Sequence, residues 1–269
     1  MAETDKAFTG SIPSIYERYM VPFNFAPYAE DMARRVAALS PRDVLEIAAG
    51  TGAVTVELLR QLPPDTTIVA TDLNQAMLDV AAAKLPPGAV ALRACDAMQL
   101  PFSPQSFDVV ICQFGVMFLP DKAAAFRGIR RVLREGGHFL FSVWDSLDRN
   151  VLSSVVESAV AKAFPDNPPS FFRRTPFGYH DKQIISATLT DAGFSHVQAE
   201  TVTLPSRAPS AQHVAIAICQ GTPLRGEIEQ RAPGRLDEIT ALARQALEAD
   251  YGTGNVEGPM QAILFQGQA

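Results

Sequence analysis

The stretch Val44-Leu45-Glu46-Ile47-Ala48-Ala49-Gly50-Thr51-Gly52 joins a nearly continuous apolar run to a segment of helical periodicity, Ala53 to Gln61. An apolar run that ends in closely spaced glycines and passes into a helix predicts a strand, a tight turn and a helix N-terminus. Glycines let the backbone turn sharply and approach a ligand without side-chain interference. The N–H groups and positive dipole end of the following helix suit an anionic group such as a carboxylate. A nicotinamide dinucleotide fingerprint would need a third glycine at position 55. Thr55 stands there, so that pattern fails.

Working outward, Thr67–Ala70, Val90–Leu92, Val109–Cys112 and Phe139–Val143 read as four further strands, with helical patterns such as Asn74 to Lys84 between them. Strand–helix alternation implies right-handed crossovers and a parallel sheet, an α/β architecture. Residues 41–144 form this core. The flanks, 1–40, 145–180 and 205–257, read as helical cap additions on the substrate side of a single domain spanning 1–269. They hold an aromatic-rich N-terminal stretch with an amphipathic helix ending near Leu39, and a helix from about Asn150 to Ala163. A further helix is capped by Asp181 and ends before Gly193, followed by a strand from Ser195 to Leu204. Helical patterns over 209–250 break at Pro223, Pro233 and Gly234, and a last strand covers Met260 to Phe265.

Composition narrows the function. The chain has 269 residues, 47% hydrophobic and 19% charged, which is globular composition, and a formal net charge of -6. A protein built to neutralise phosphates would carry a basic excess, so the balance argues against a nucleic-acid substrate. Cys95, Cys112 and Cys219 have neither disulfide nor metal-ligand spacing, and no metal is expected. The start, MAETDKAFTG, lacks the layout of a signal peptide, and the longest apolar stretch is too short to span a bilayer. The expectation is a cytoplasmic monomer or homodimer without membrane insertion.

Asp72 follows the second strand, 22 residues after Gly50, near the ~20 expected for a carboxylate that accepts ribose hydroxyls. A helix cap is the bland alternative. Asp96 ends the third strand in Ala94-Cys95-Asp96-Ala97-Met98, where it can accept from an adenine amine while the next N–H faces the ring, or simply cap a turn.

Leu-Glu-x-Ala-x-Gly-x-Gly, an acid after strand two, Cys-Asp-Ala, Phe-Asp-Val-Val-Ile-Cys-Gln, Phe-Leu-Pro-Asp and Arg-Glu-Gly-Gly occur in that order. Together these motifs resemble the class I S-adenosylmethionine-dependent methyltransferases, closest to the ubiquinone/menaquinone-biosynthesis-type (methyltransferase domain 11-like) group. The resemblance is strong over 41–144 and weaker beyond. It implies a doubly wound, mostly parallel seven-stranded sheet of order 3-2-1-4-5-7-6 with strand seven antiparallel. It implies S-adenosyl-L-methionine as cofactor and S-adenosyl-L-homocysteine as product. The methionine end would be lined by Glu46, Ala48, Gly50, Thr51 and Gly52, the ribose held by Asp72 and the adenine flanked by Leu73 and read by Asp96 and Ala97. Tyr19, Met77, Cys95, Gln113 and Phe114 complete the implied cofactor set. Ala48 departs from the family, which usually has a glycine there.

The implied reaction is in-line displacement at a sulfonium methyl by an oxygen, nitrogen or carbon of a small apolar or aromatic acceptor. Alignment and water exclusion supply much of the acceleration, and a base is needed only where the acceptor must lose a proton. His180 leads the candidates, with His213 and Tyr179 behind it; His138 and His196 read as structural. Tyr16, Tyr19, Phe23, Phe164, Phe171, Phe172, Phe177 and Tyr179 either close over the acceptor or pack as core. Arg127, Arg130, Arg131 and Arg134 read as charges favoured by a helix end, and Arg173–Arg174 as solvated or facing an acidic acceptor. The competing readings are a non-catalytic S-adenosyl-nucleoside-binding protein, a nucleotide-dependent oxidoreductase and a methyltransferase acting on RNA.

Overall fold

The computed structural model describes Asp5 and residues 8–269. Met1–Thr4, Lys6 and Ala7, in the N-terminal stretch that lacks a signal-peptide layout, lie outside the described residues. Seven strands form one sheet: β1 (Asp43–Ile47), β2 (Thr67–Asp72), β3 (Ala91–Ala94), β4 (Phe107–Gln113), β5 (Leu133–Trp144), β6 (Ser195–Ala208) and β7 (Val256–Gln268). Their order is β3-β2-β1-β4-β5-β7-β6, as the family resemblance implies. The first five strands pair in parallel. Gly136 N–H donates to the Ala269 carbonyl at one end of β5, and Asp145 N–H to the Gln261 carbonyl near the other, so β7 runs antiparallel to β5.

Helices α1 (Ile12–Ile15), α2 (Ala26–Ala38), α3 (Ala53–Gln61), α4 (Gln75–Ala82), α5 (Lys122–Val132) and α6 (Val151–Ala163) accompany the first five strands. The later helices are α7 (Phe171–Arg174), α8 (Lys182–Asp191), α9 (Ala211–Gln220), α10 (Leu224–Arg231) and α11 (Leu236–Tyr251). Residues Tyr16–Phe25 form a π-helix. The chain divides into two compact units. One comprises Tyr28–Val143, His180–Val202 and Ala262–Ala269; the other comprises Met1–Pro27, Trp144–Tyr179 and Thr203–Gln261.

In the first unit, one apolar cluster joins Met32, Ala33 and Val36 of α2 and Val54 and Leu58 of α3 to Val44, Ile68, Val109, Ile111 and Leu140 of the strands. A second layer is aromatic: Phe139 stacks on Phe141 at 4.7 Å, Phe141 on Phe265 at 5.0 Å, and Phe126 meets both Phe139 and Phe141. Such pairs add about 0.5–1.5 kcal/mol each beyond their buried area. Asp181 caps α8 by accepting from the N–H groups of Gln183 and Ile184, as expected.

The strands outrun their apolar runs. β5 begins at Leu133 rather than Phe139 because Leu133 pairs with Phe107 of β4, and His138, paired with Val109, lies within the strand, its Nδ1 3.3 Å from Gln266 Nε2. Arg134 therefore sits on β5, not on a helix end, and pairs with Asp43 at 2.9 Å and Asp108 at 2.6 Å. Arg131 donates to the carbonyls of Leu100 and Phe102, and Arg130 to that of Gly193. These arginines brace local structure.

In the second unit, α9, α11 and α6 pack through Val214, Ile218, Ile239, Ala243, Leu247, Val156 and Val160. Phe23, Phe171, Phe172 and Phe177 are buried in this unit. Arg173 pairs with Glu157, and Arg174 bridges buried Asp5 and Glu227, so neither is simply solvated. Asn150, 3% exposed, donates from Nδ2 to the carbonyls of Asp145, Ser146 and Gln261 and accepts the Gln261 N–H on Oδ1. It thereby ties the residues after β5 to β7. Replacing Asn150 with alanine strands those backbone groups in a dry interior, and we expect a loss of about 2–3 kcal/mol in urea unfolding.

Candidate functional site

The C-terminal ends of β1, β2, β3 and β4 lie level: Ile47 pairs with Thr71, Asp72 with Ala94, and Glu46 with Ile111, two residues before Gln113. The strand order reverses between β1 and β4, and ligands of open α/β sheets bind beside such a switch point. The turn after β1 alternates left-handed residues, Ala48 at φ 54°, Gly50 at φ 57° and Gly52 at φ 81°. Alternation of this kind gathers backbone N–H groups into a concavity suited to an anionic group. Gly52 is required for close approach, since a Cβ there would meet Ala81 Cβ at 3.1 Å. Met77 lies against the same turn, its Cε 3.5 Å from where a Gly50 Cβ would be.

Two carboxyl groups are buried beside this turn. Asp72 accepts the Gly50 N–H on Oδ2 at 2.9 Å, and the Asn74 N–H and Nδ2 on Oδ1. Burial raises its pKa against the opposing effect of those donors. Glu46 is 1% exposed and accepts from Thr55 Oγ1 at 2.6 Å. Desolvation pushes its pKa up to about 8; the Thr55 bond and Lys84 oppose the rise, and the Asp72 charge adds to it. Thr55, which breaks the dinucleotide fingerprint, thus serves as the partner of Glu46. Thr51 Oγ1 is buried with no hydrogen-bond partner among the described residues.

Asp96 follows β3, its Oδ1 occupied by the Met98 N–H, and the Cys95 N–H bonds to the Asp72 carbonyl, tying the two turns together. Burial raises the Cys95 thiol pKa. Leu73 is 50% exposed, an uncommon setting for leucine beside so ordered a turn, and Ala97 is half-buried. Gln113 ends β4. Phe114, at φ 53°, donates its N–H to the Ser142 carbonyl and packs edge-on against Tyr28 at 5.3 Å. A glycine turn, an orphaned hydroxyl and carboxylates at two adjacent strand ends fit a nucleoside bearing an amino-acid tail.

Of the remaining candidates, Tyr19, Tyr179 and His213 belong to the second unit and His180 to the first. His213 Nε2 lies 2.7 Å from the Tyr19 carbonyl, so that nitrogen carries the proton and the lone pair of the neutral ring is on Nδ1. The Tyr19 ring packs against His213 at 5.0 Å. His196 lies on the edge strand β6 at φ 47°. Thr55, Asn74 and Tyr28 were not foreseen as site residues. Only Asn74, in Asp72-Leu73-Asn74, carries a local signal, that of a short polar turn. Among the described residues no cluster of His, Cys, Asp and Glu could hold a metal ion, and no helix is long and apolar enough to cross a membrane.

This strand order with a glycine turn after β1 is the arrangement of the class I methyltransferases. A family model described as a methyltransferase domain matches residues 45–141. The ubiquinone/menaquinone biosynthesis C-methyltransferase UbiE of Pseudomonas aeruginosa (strain LESB58) is 30% identical over 173 residues, covering 60% of this chain and 68% of that protein. The protein of the same description from Cellvibrio japonicus is 28% identical over 173 residues, 60% of this chain and 70% of its own. Among solved structures, a methyltransferase of Thermotoga maritima superposes with a TM-score of 0.57 at 18% identity, covering 100% of this chain and 99% of that one. YcgJ from Bacillus subtilis gives 0.57 at 18%, covering 90% and 98%; these two likenesses concern the fold. The chain belongs to the S-adenosylmethionine-dependent methyltransferases of the UbiE type. It is accordingly an enzyme whose cofactor is S-adenosylmethionine.

Glu46 links the site to stability. The unfolded chain loses this proton near 4.5, whereas the folded protein keeps it to about 8. The stabilising contribution is therefore complete below 4.5 and is lost as pH rises towards 8, at up to about 1.4 kcal/mol per pH unit. Glu46→Gln keeps a neutral group beside Thr55, and its urea-unfolding free energy should fall less steeply between pH 5 and 8 than that of the wild type. Parallel pH profiles would contradict this.

Proposed function

We propose that the chain methylates a small, planar, largely apolar acceptor of quinone type, at a ring carbon. The observation that carries this reading is the 30% identity over 173 residues to a ubiquinone/menaquinone C-methyltransferase. The sheet and turn supply the cofactor half. Gly50, Thr51 and Gly52 would hold the amino-acid tail, with Glu46 and Met77 packed beneath it. Asp72, already oriented by Gly50 and Asn74, would accept the ribose hydroxyls. Leu73 would cover one face of the adenine, and Asp96, Ala97 and Cys95 would line its edge. Gln113 and Phe114 would stand where the methyl group meets the acceptor. Ala48 completes the set on this unit.

When bound, the cofactor supplies a methyl group on a sulfonium whose departure needs no further activation. The protein's task is then to align the acceptor and keep water out, which together account for most of such accelerations. Phe114 is suited to positioning because its left-handed backbone, the Ser142 carbonyl and the Tyr28 ring fix it from three sides. Where the ring carbon must shed a proton, His180, on the same unit as the turn, is the candidate base.

The enzyme is expected to bind S-adenosylmethionine and S-adenosylhomocysteine in titration calorimetry. Asp72→Ala removes both the ribose acceptor and the anchor of the Gly50 N–H and should weaken either ligand by about a hundredfold or more. Equal binding by Asp72→Ala would sink the assignment of the site. Turnover on a short-chain demethylated quinone, read by mass gain of one methylene unit, tests the acceptor; no turnover with intact cofactor binding would remove the quinone class.

A further inference from the structure

The turn after β1 contains an alanine in a backbone region that L residues avoid, and something must keep it there. Ala48 has φ 54°. A Cβ built on Gly115 would stand 2.6 Å from Ala48 Cβ and 2.6 Å from Cys112 Sγ, well inside the roughly 3.5–4.0 Å of normal carbon contact. The Ala48 methyl thus occupies the space that a side chain at position 115 would need.

Neither side of this contact yields easily. An alanine Cβ has no rotamer to escape into, and its turn is held by the Ala49 N–H on the Thr71 carbonyl and the Gly52 N–H on the Ala49 carbonyl. Cys112, 1% exposed, accepts the N–H groups of Gly115 and Val116. The turn after β4 is anchored from several directions as well. Phe114 donates to Ser142, Phe118 donates to the Gly115 carbonyl, and Lys122 Nζ reaches the carbonyls of Met117 and Leu119. Two turns that close adjacent strands on either side of the switch point therefore interlock through one methyl group and one missing side chain.

We infer that Gly115 is a positioning residue for the cofactor turn: the bare backbone at 115 is what permits Ala48 its left-handed conformation, and through it the placement of Gly50, Thr51 and Gly52. The inference rests on the reading of that turn as the cofactor site. It makes the turn after β4, which carries Phe114, mechanically coupled to the turn after β1. Any shift of one obliges the other to move.

A double-substitution cycle with S-adenosylhomocysteine as calorimetric probe tests this, with melting temperatures measured on the same ligand-free samples. Gly115→Ala should weaken binding by about tenfold or more. Adding Ala48→Gly removes the opposing methyl and relieves the left-handed alanine, so the double variant should recover most of that loss, the remaining deficit reflecting Cys112. Where Gly115→Ala does not fold alone, a double variant that folds and binds supports the inference equally. Additive effects of the two substitutions on both affinity and melting temperature, or a double variant as impaired as Gly115→Ala, overturn it. A wild type that does not bind the probe overturns the cofactor reading instead, and coupling in the ligand-free melting temperatures then still decides whether residues 48 and 115 are sterically paired.

Discussion

The Gly50 N–H donated to Asp72 Oδ2 joins the turn after β1 to the end of β2, and much of the site depends on it. A carboxylate as buried as Asp72 is costly to keep unless donors surround it, and here they are backbone and side-chain groups of the two turns it connects. The bond fixes Gly50, and with it the left-handed sequence from Ala48 to Gly52. The Asp72 carbonyl in turn receives the Cys95 N–H, which passes the same ordering to the end of β3. Three strand ends are thus set by one acidic residue and its partners.

Beneath that residue, Glu46 is a second buried acid, kept largely neutral by desolvation and met by the Thr55 hydroxyl. A pair of carboxyl groups in an otherwise apolar sheet can persist only where the rest of the layer is well packed. The cluster around Met32, Val36, Leu58 and Ile111 on one face and the stacked phenylalanines on the other provide this. Strain lies at this edge too, as it does at Ser40, Gln105 and His196 elsewhere. Ala48 and Phe114 both hold positive φ, each at a cost of about 1–3 kcal/mol that the surrounding contacts must offset.

Parts of this were readable one segment at a time. The Asp181 cap, the helix over Ala53–Gln61 and the presence of all seven strands follow from side-chain periodicity and capping chemistry. The strand ends did not, because β4, β5, β6 and β7 continue as far as a neighbour supplies hydrogen bonds, whatever the hydropathy of their residues. Arg134 shows the consequence: its nearness in sequence to Arg130 and Arg131 suggests a helix end, yet the pairing of Leu133 with Phe107 of β4 carries it into β5 and onto Asp43 and Asp108. The aromatic residues of the second unit were similarly ambiguous. Phe171, Phe172 and Phe177 have the composition of a ligand cover, and their burial became visible only in the folded chain.

The motif order brought the family and its cofactor by resemblance, whereas the strand–turn–helix around Gly50 and the acids that close strands two and three were legible in the chain alone. These rest on local chemistry: glycine spacing, capping and period are properties of neighbours along the chain. That Thr55 serves Glu46, that Asn74 orients Asp72, that Arg174 bridges Asp5 and Glu227, and that Ala48 needs a glycine at 115 emerges from the folded arrangement alone. The last two join residues 53 or more positions apart. Such partners are selected by how strands pair and helices pack, which no local window of sequence contains.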